Sequence, residues 1–432
     1  MKNNFSLLIL FFLISCSSKI DTSLNVNDLK KEGSQYILSS QKKETFFTKN
    51  KINKVNFYKL EKEYNATSSK ITSSNFLKNT ELNNSFNKII EKKIFNISKN
   101  NKFKKNIVSS KDKLFFIDDF SNFTILDMKF NLIKKLKIHN KLPSSLNYRY
   151  SIVYHNDLIF VADNLGSIFA YDVNKNVVLW RNDLGVPFLS NISLYKNSIF
   201  VTNANGKLFS FKSISGLQNW SFETGTAILK SLNAYHIAIE EDKLIFSNDI
   251  GTIYCIDLKV NTILWTLRVP SFLNNFENKL FYISNFILEN NFLYLTTSFE
   301  NILKINLQNG AIVWQIPVHT LNNAIINVNT VSLIDSEGFF LVLDKDSGDI
   351  LFKHNLKQYL NNRNNTILFN SIFIGSNKFY ILSDNGIVIQ IDSQDLEKII
   401  LKKISKKSIS NIVINNNKIF FIDSGGAINK IE

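Results

Sequence analysis

Five histidines, Cys255 and a recurring set of aspartates are the side chains with which this chain could do acid–base or metal chemistry. His139, His155, His236, His319 and His354 are scattered, with no His-x-x-x-His spacing and no His-Glu pair, so no metal site is expected. Cys255 stands between Tyr254 and Ile256 in an apolar run and reads as a small buried apolar residue. Asp172, Asp257, Asp344 and Asp392 fall at one position of a repeat, which makes them turn formers first. The sequence has no Gly-x-Ser-x-Gly elbow, no phosphate loop and no credible nucleophile triad. Catalysis is not expected, and neither is a cofactor.

The elements that would position these residues are announced by the tryptophans. Trp180, Trp220, Trp265 and Trp314 each stand eight residues after a polar position: Asp172, Lys212, Asp257 and Asn306. Six residues before those positions lie Gly166, Gly206, Gly251 and, as the exception, Glu300. Three more units keep the register without tryptophan: Gly338 leads to Asp344 and Phe352, Gly386 to Asp392 and Ile400, and Gly426 to Glu432. A degenerate first unit has Ser121, Asp127 and Lys135 in the three slots. From Asp127 to Glu432 the seven steps span 305 residues, about 44 per repeat, with the variation taken up between strands. Such a period, built from short β-rich runs, predicts an all-β fold: an eight-bladed β-propeller of four-stranded blades. Each glycine follows a polar pair in a tight hairpin, and the β-branched and aromatic run after it suits a strand buried on both faces. Each tryptophan is expected to seal the seam between neighbouring blades.

Composition narrows the classes further. The 432 residues are 44% apolar, enough for a large core, and two cysteines cannot supply a disulfide framework. No run of 18 apolar residues offers a membrane-spanning helix. The net charge is +15, but only Arg149, Arg181, Arg268 and Arg363 are arginines, so a nucleic-acid partner is not expected. Residues 1–105 hold 20 Lys against 8 acidic residues, while 106–432 carry a net of only +3. At the start, an apolar run from Phe5 to Ile14 is too short to span a bilayer and fits a signal-peptide core. It ends in Leu13-Ile14-Ser15-Cys16, which resembles the bacterial lipobox. The resemblance implies cleavage after residue 15, a lipid anchor on Cys16 and, with Ser17 rather than Asp next, an outer-membrane location facing the periplasm. The expected domains are a signal peptide at 1–15, a flexible basic tether at 16–90 and the propeller at 91–432. A helix is possible over Glu81 to Ile94, where Leu82, Phe86, Ile89 and Ile90 fall near helical spacing. The last unit stops at its acidic slot, so its outermost strand must come from upstream, with Lys93-Ile94-Phe95-Asn96-Ile97-Ser98 as the candidate.

The Gly-to-Asp-to-Trp register resembles the tryptophan-docked repeat of quinoprotein-type propellers. With eight repeats behind a lipobox, the whole chain resembles the BamB family of lipoproteins. The resemblance implies a scaffold of the outer-membrane β-barrel assembly (BAM) machinery, binding the POTRA domains of a BamA-like barrel and helping unfolded outer-membrane proteins to insert. It also implies that the contact lies in loops after the third and fourth blades, here about 226–235, with Ile228, Leu229, Lys230 and Leu232, and about 271–286. The Arg-Gly and acidic runs of the family loops are replaced here by Lys230-Ser231-Leu232-Asn233 and Tyr282-Ile283-Ser284-Asn285. The alternatives are a polymer- or carbohydrate-binding propeller, and a quinone-dependent dehydrogenase, against which the missing Cys-Cys pair counts.

Overall fold

The computed structural model describes residues 51–60, 75, 77, 79–82, 89–93, 107–140, 142, 148–227, 235–269, 283–297, 301–318, 320, 324–360, 368–405 and 409–431. Its strands run from β1 (Ile89–Lys93) to β32 (Ala427–Ile431) and form eight four-stranded antiparallel sheets. Seven sheets are consecutive meanders: blade 1 over 107–137, blade 2 over 150–183, blade 3 over 193–223, blade 4 over 237–268, blade 5 over 283–316, blade 6 over 325–355 and blade 7 over 369–403. Blade 8 takes three strands from 409–431 and its outermost strand from β1, with Ile89 opposite Ile431 and Lys93 opposite Ala427. The fold is the eight-bladed propeller that the repeat predicts.

Two expectations about the start of the ring change. The closing strand is Ile89–Lys93, so it begins four residues before the candidate, of which only Lys93 is shared; 94–98 lie outside the described residues. The same pairing overturns the helix over Glu81 to Ile94 at its C-terminal half. A helix satisfies its own backbone, but the free edge of β32 offers a whole row of donors and acceptors, and β1 pairs with it at five positions.

The core sits in the seams between blades. In the third strand of blade 2, Ser167–Asp172, all six residues are buried. Phe169 and Tyr171 pack against blade 1, while Ile168 and Ala170 pack against blade 3. Eight such apolar clusters occupy the eight seams, including the one that joins blade 8 to blade 1. Three of the four tryptophans act in one way. The indole N–H of Trp180 donates to the Ser213 carbonyl of the next blade (2.9 Å), that of Trp265 to Leu307 (2.9 Å) and that of Trp314 to Lys345 (3.1 Å). Each acceptor is one residue past the acidic slot. Each ring lies on a glycine three residues further on (Gly216, Gly310, Gly348), where a Cβ would come within 2.5–3.0 Å of it. Trp220 packs at the seam between blades 3 and 4 beside Phe200 and Leu258. Burying one such ring contributes on the order of 4–6 kcal/mol as an upper estimate.

Antiparallel meanders place two kinds of turn on two faces. One face carries the first-to-second and third-to-fourth strand turns. The other carries the glycine turns and the connectors between blades. On the first face the acidic slots behave as turn formers: Asp172 accepts from the amides of Asn174 and Lys175, and Asp344 from those of Asp346 and Ser347. On the second, Gly166 has φ +89°, and an added Cβ would meet the Val186 nitrogen at 2.6 Å because the connector crosses directly over the turn.

Residues 51–60 and 79–82 are not a tether. Val55 is buried in the seam between blades 6 and 7, with Ile52 and Phe57 packed against the same cluster, and Phe57 meets Phe379 edge-on at 4.7 Å. Thr80 bridges Gly375, and Leu82 is buried between blades 7 and 8. The apolar side chains of this Lys- and Asn-rich stretch therefore have a place in the core.

Two outcomes are expected. Gly166→Ala combines a left-handed backbone with a steric clash and should lower unfolding free energy by about 2–4 kcal/mol in urea titration. The Ser347 amide, then that of Asp346, hold the Asp344 carboxyl below its ordinary 3.8. Its charge therefore stabilises the fold above that value, and the contribution is lost as pH falls through the lower native one. Asp344→Asn should melt at lower temperature than wild type at pH 7, with the gap closing below about pH 4.

Candidate functional site

One hydrogen bond repeated around the ring positions the connectors between blades. The first residue after the outer strand donates to the carbonyl in the glycine slot of the same blade: Ile138 to Ser121, Leu184 to Gly166, Thr224 to Gly206, Val269 to Gly251, Leu356 to Gly338 and Ile404 to Gly386. A side chain three residues before seven of the eight glycine slots braces the turn itself. Asp118, Asp163, Asn203, Asn248, Asp335, Ser383 and Asp423 each accept from the amide four residues on. Sequence reasoning missed this second polar ring, although Asp or Asn at Gly−3 recurs visibly.

The connector between blades 3 and 4, where the partner-binding residues are expected, is rooted at both ends. Asn248 donates to the Gly225 carbonyl (3.1 Å), and Asp249 accepts from the Ala227 amide (2.9 Å). At the far end, Tyr235 is buried with its hydroxyl on the Ala204 carbonyl (3.4 Å). Burial first, then the Asp249 carboxylate, pushes the Tyr235 phenol well above its ordinary range. Ile228, Leu229, Lys230 and Leu232 lie outside the described residues, as do 271–282 of the second expected loop. The rooted turn itself exposes Ile250, and the connector from blade 2 exposes Leu184. Cys16 also lies outside the described residues.

A polar cluster stands on the same face between blades 1 and 2. His139 Nε2 lies 2.6 Å from the Asp163 carboxylate, which is fully buried and also accepts from Tyr148 (3.2 Å). Arg181 donates to the Ile138 carbonyl (2.9 Å), to Ser167 Oγ (2.9 Å) and to Asp183 (3.0 Å). Ser167 itself donates to Asp183 rather than to His139. These groups are tied to one another and to the backbone, which anchors the connector and leaves no nucleophile facing a base. Among the described residues no three His, Cys, Asp or Glu side chains converge as a metal site would require. Cys255 is buried, and burial pushes its thiol up to about 12.

This architecture defines a class: an eight-bladed, tryptophan-docked propeller whose connector face is braced by turn polar groups. A protein-family model described as outer membrane protein assembly factor BamB matches residues 143–351 and 229–430. The chain belongs to that family. Among solved structures, BamB from Moraxella catarrhalis superposes with a TM-score of 0.61 at 13% identity, covering 79% of this chain and 99% of that one. The computationally designed Ika8 protein gives 0.57 at 10% identity (76% and 96%), and the C-terminal WD40 domain of Sif2 gives 0.56 at 16% (79% and 97%). No curated protein sequence matches the chain. At these identities the structural likenesses speak for the fold alone.

The thiol supplies a check on the packing. In a Cys16→Ser form, Cys255 should stay unmodified by iodoacetamide at pH 8 for as long as the fold persists, and react within minutes in denaturant. Native labelling would mean that the seam between blades 4 and 5 opens.

Proposed function

We propose that this protein is a non-catalytic scaffold lipoprotein of the outer-membrane β-barrel assembly machinery. It is anchored through a lipid on Cys16, faces the periplasm and binds the POTRA domains of a BamA-like barrel. Through that contact it assists the insertion of outer-membrane proteins. The observation that carries the reading is the family match across 143–430, which spans the connectors of blades 3 and 4. The contact residues are Leu229 and Leu232 of the connector between blades 3 and 4, whose described ends are rooted on Asn248, Asp249 and Tyr235. A rooted loop with apolar side chains gives a partner an anchor at a small ordering cost.

The test is affinity purification of the detergent-solubilised lipoprotein, with partners identified by mass spectrometry. A POTRA-bearing barrel should be recovered in near-stoichiometric amount. Leu229→Asp with Leu232→Asp should reduce its recovery at least about tenfold without lowering the melting temperature. Recovery alone, or with cell-wall material, would overturn the reading in favour of a polymer-binding propeller.

A further inference from the structure

The seam between blades 6 and 7 lacks the indole dock found after blades 2, 4 and 5. Its tryptophan slot holds Phe352, which has no N–H to donate, and the position where the docking glycine stands in blades 3, 5 and 6 holds the buried Leu396. By analogy with Ser213, Leu307 and Lys345, the orphaned acceptor is the Ser393 carbonyl. It is not left bare: the backbone N–H of Val55 donates to it at 2.7 Å. A segment more than 300 residues away in sequence makes the hydrogen bond that an indole makes elsewhere.

That segment is held as an extended peptide is held. Lys51 N–H donates to the Leu351 carbonyl (2.7 Å), the Asn53 carbonyl accepts from Leu396 (2.8 Å), and the Asn56 carbonyl accepts from Val328 (3.3 Å). Val55 and Phe57 point into the seam cluster, while Lys54 and Asn56 between and beside them are exposed. Tyr58 then enters a charged socket. Its hydroxyl donates to Glu289, and Lys345 donates both to Tyr58 (3.0 Å) and to Glu289 (2.8 Å). The ammonium of Lys345 is further fixed by the Asn327 carbonyl at 3.1 Å. Main-chain hydrogen bonds for affinity, alternate side chains in pockets and a terminal aromatic in a polar socket are the features of a peptide-recognition groove.

We infer that the blade 6–7 seam, with the adjoining Glu289–Lys345 socket between blades 5 and 6, is a binding groove for an extended peptide of the pattern Val-x-Phe-Tyr, occupied in cis by residues 51–58 of this chain. The groove recognises the segment by its side chains and backbone and does not depend on the covalent connection. A full-length chain whose residues 51–58 are replaced by Gly and Ser therefore presents an open site. The inference is independent of the assembly role, since neither the connector face nor a POTRA partner enters it.

The probe is a fluorescein-labelled peptide with the sequence of residues 50–60, followed by anisotropy. The replaced chain should bind it saturably and at least about tenfold more tightly than wild type, in which the cis segment competes at high effective concentration. The same peptide carrying Phe57→Ala and Tyr58→Ala should not bind. Equal binding by wild type would place the peptide elsewhere and overturn the inference, as would no binding by a replaced chain that still unfolds cooperatively. If the replaced chain does not fold, full-length Tyr58→Ala serves instead: it should bind the wild-type peptide more tightly than wild type does, and equal affinity would again overturn the inference.

Discussion

The structure depends on a single constraint: each blade is a sheet with two apolar faces, and neither can be left to water. A four-stranded sheet of this kind has no stable existence alone, so every blade is stable only as a neighbour. The eight seam clusters are where the free energy of folding resides, and the ring is the arrangement in which no seam is missing. The repeat restates this constraint once per blade. A hydrophobic third strand fills two seams, a glycine slot lets the next connector pass, and in blades 2, 4 and 5 an indole fastens the outer strand to the following blade.

Seen this way, departures from the repeat are as informative as the repeat. Blade 8 would end one strand short, and β1 fills the vacancy from the opposite end of the chain. Blade 6 lacks its indole, and residues 51–58 supply an N–H, a phenyl ring and a phenol in its place. Both repairs come from the basic N-terminal region, whose Lys- and Asn-rich composition disguises the few apolar residues that matter. They also leave the two faces unequal. The strand-turn face is partly covered by 51–58.

The propeller was legible because its signals are periodic. Four tryptophans in one register, and glycines at a fixed offset from them, identify blades without any knowledge of contacts. The closing strand was legible in kind but not in position. Ile89-Ile90 and Ile94-Phe95 are equally apolar, and only pairing with Ala427–Ile431 chooses between them. The arm was misread because Val55-x-Phe57-Tyr58 is too short for a period to stand out. Its trace lay elsewhere, in Phe352 where a tryptophan belongs and Leu396 where a glycine belongs. The candidate site was legible only in outline. Spacing from Trp220 locates the connector, but the roots at Asn248, Asp249 and Tyr235 come from turns that a linear pattern treats as filler. The specific residues at 228–232 rest on family resemblance.

The clasp between β1 and β32 sets a schedule for biosynthesis. The first strand of the ring waits for its partner until residues 427–431 exist, a separation of about 340 residues. At about 5–20 residues per second, that is roughly 15–70 s during which Ile89 and Ile90 have no sheet to join. Blades 1 to 7 can assemble in order as they emerge, each on its predecessor. The ring itself cannot close before residues 427–431 are available. The nascent propeller is an open arc with exposed seams at both ends, and a chaperone or holding factor would find its most apolar surface there.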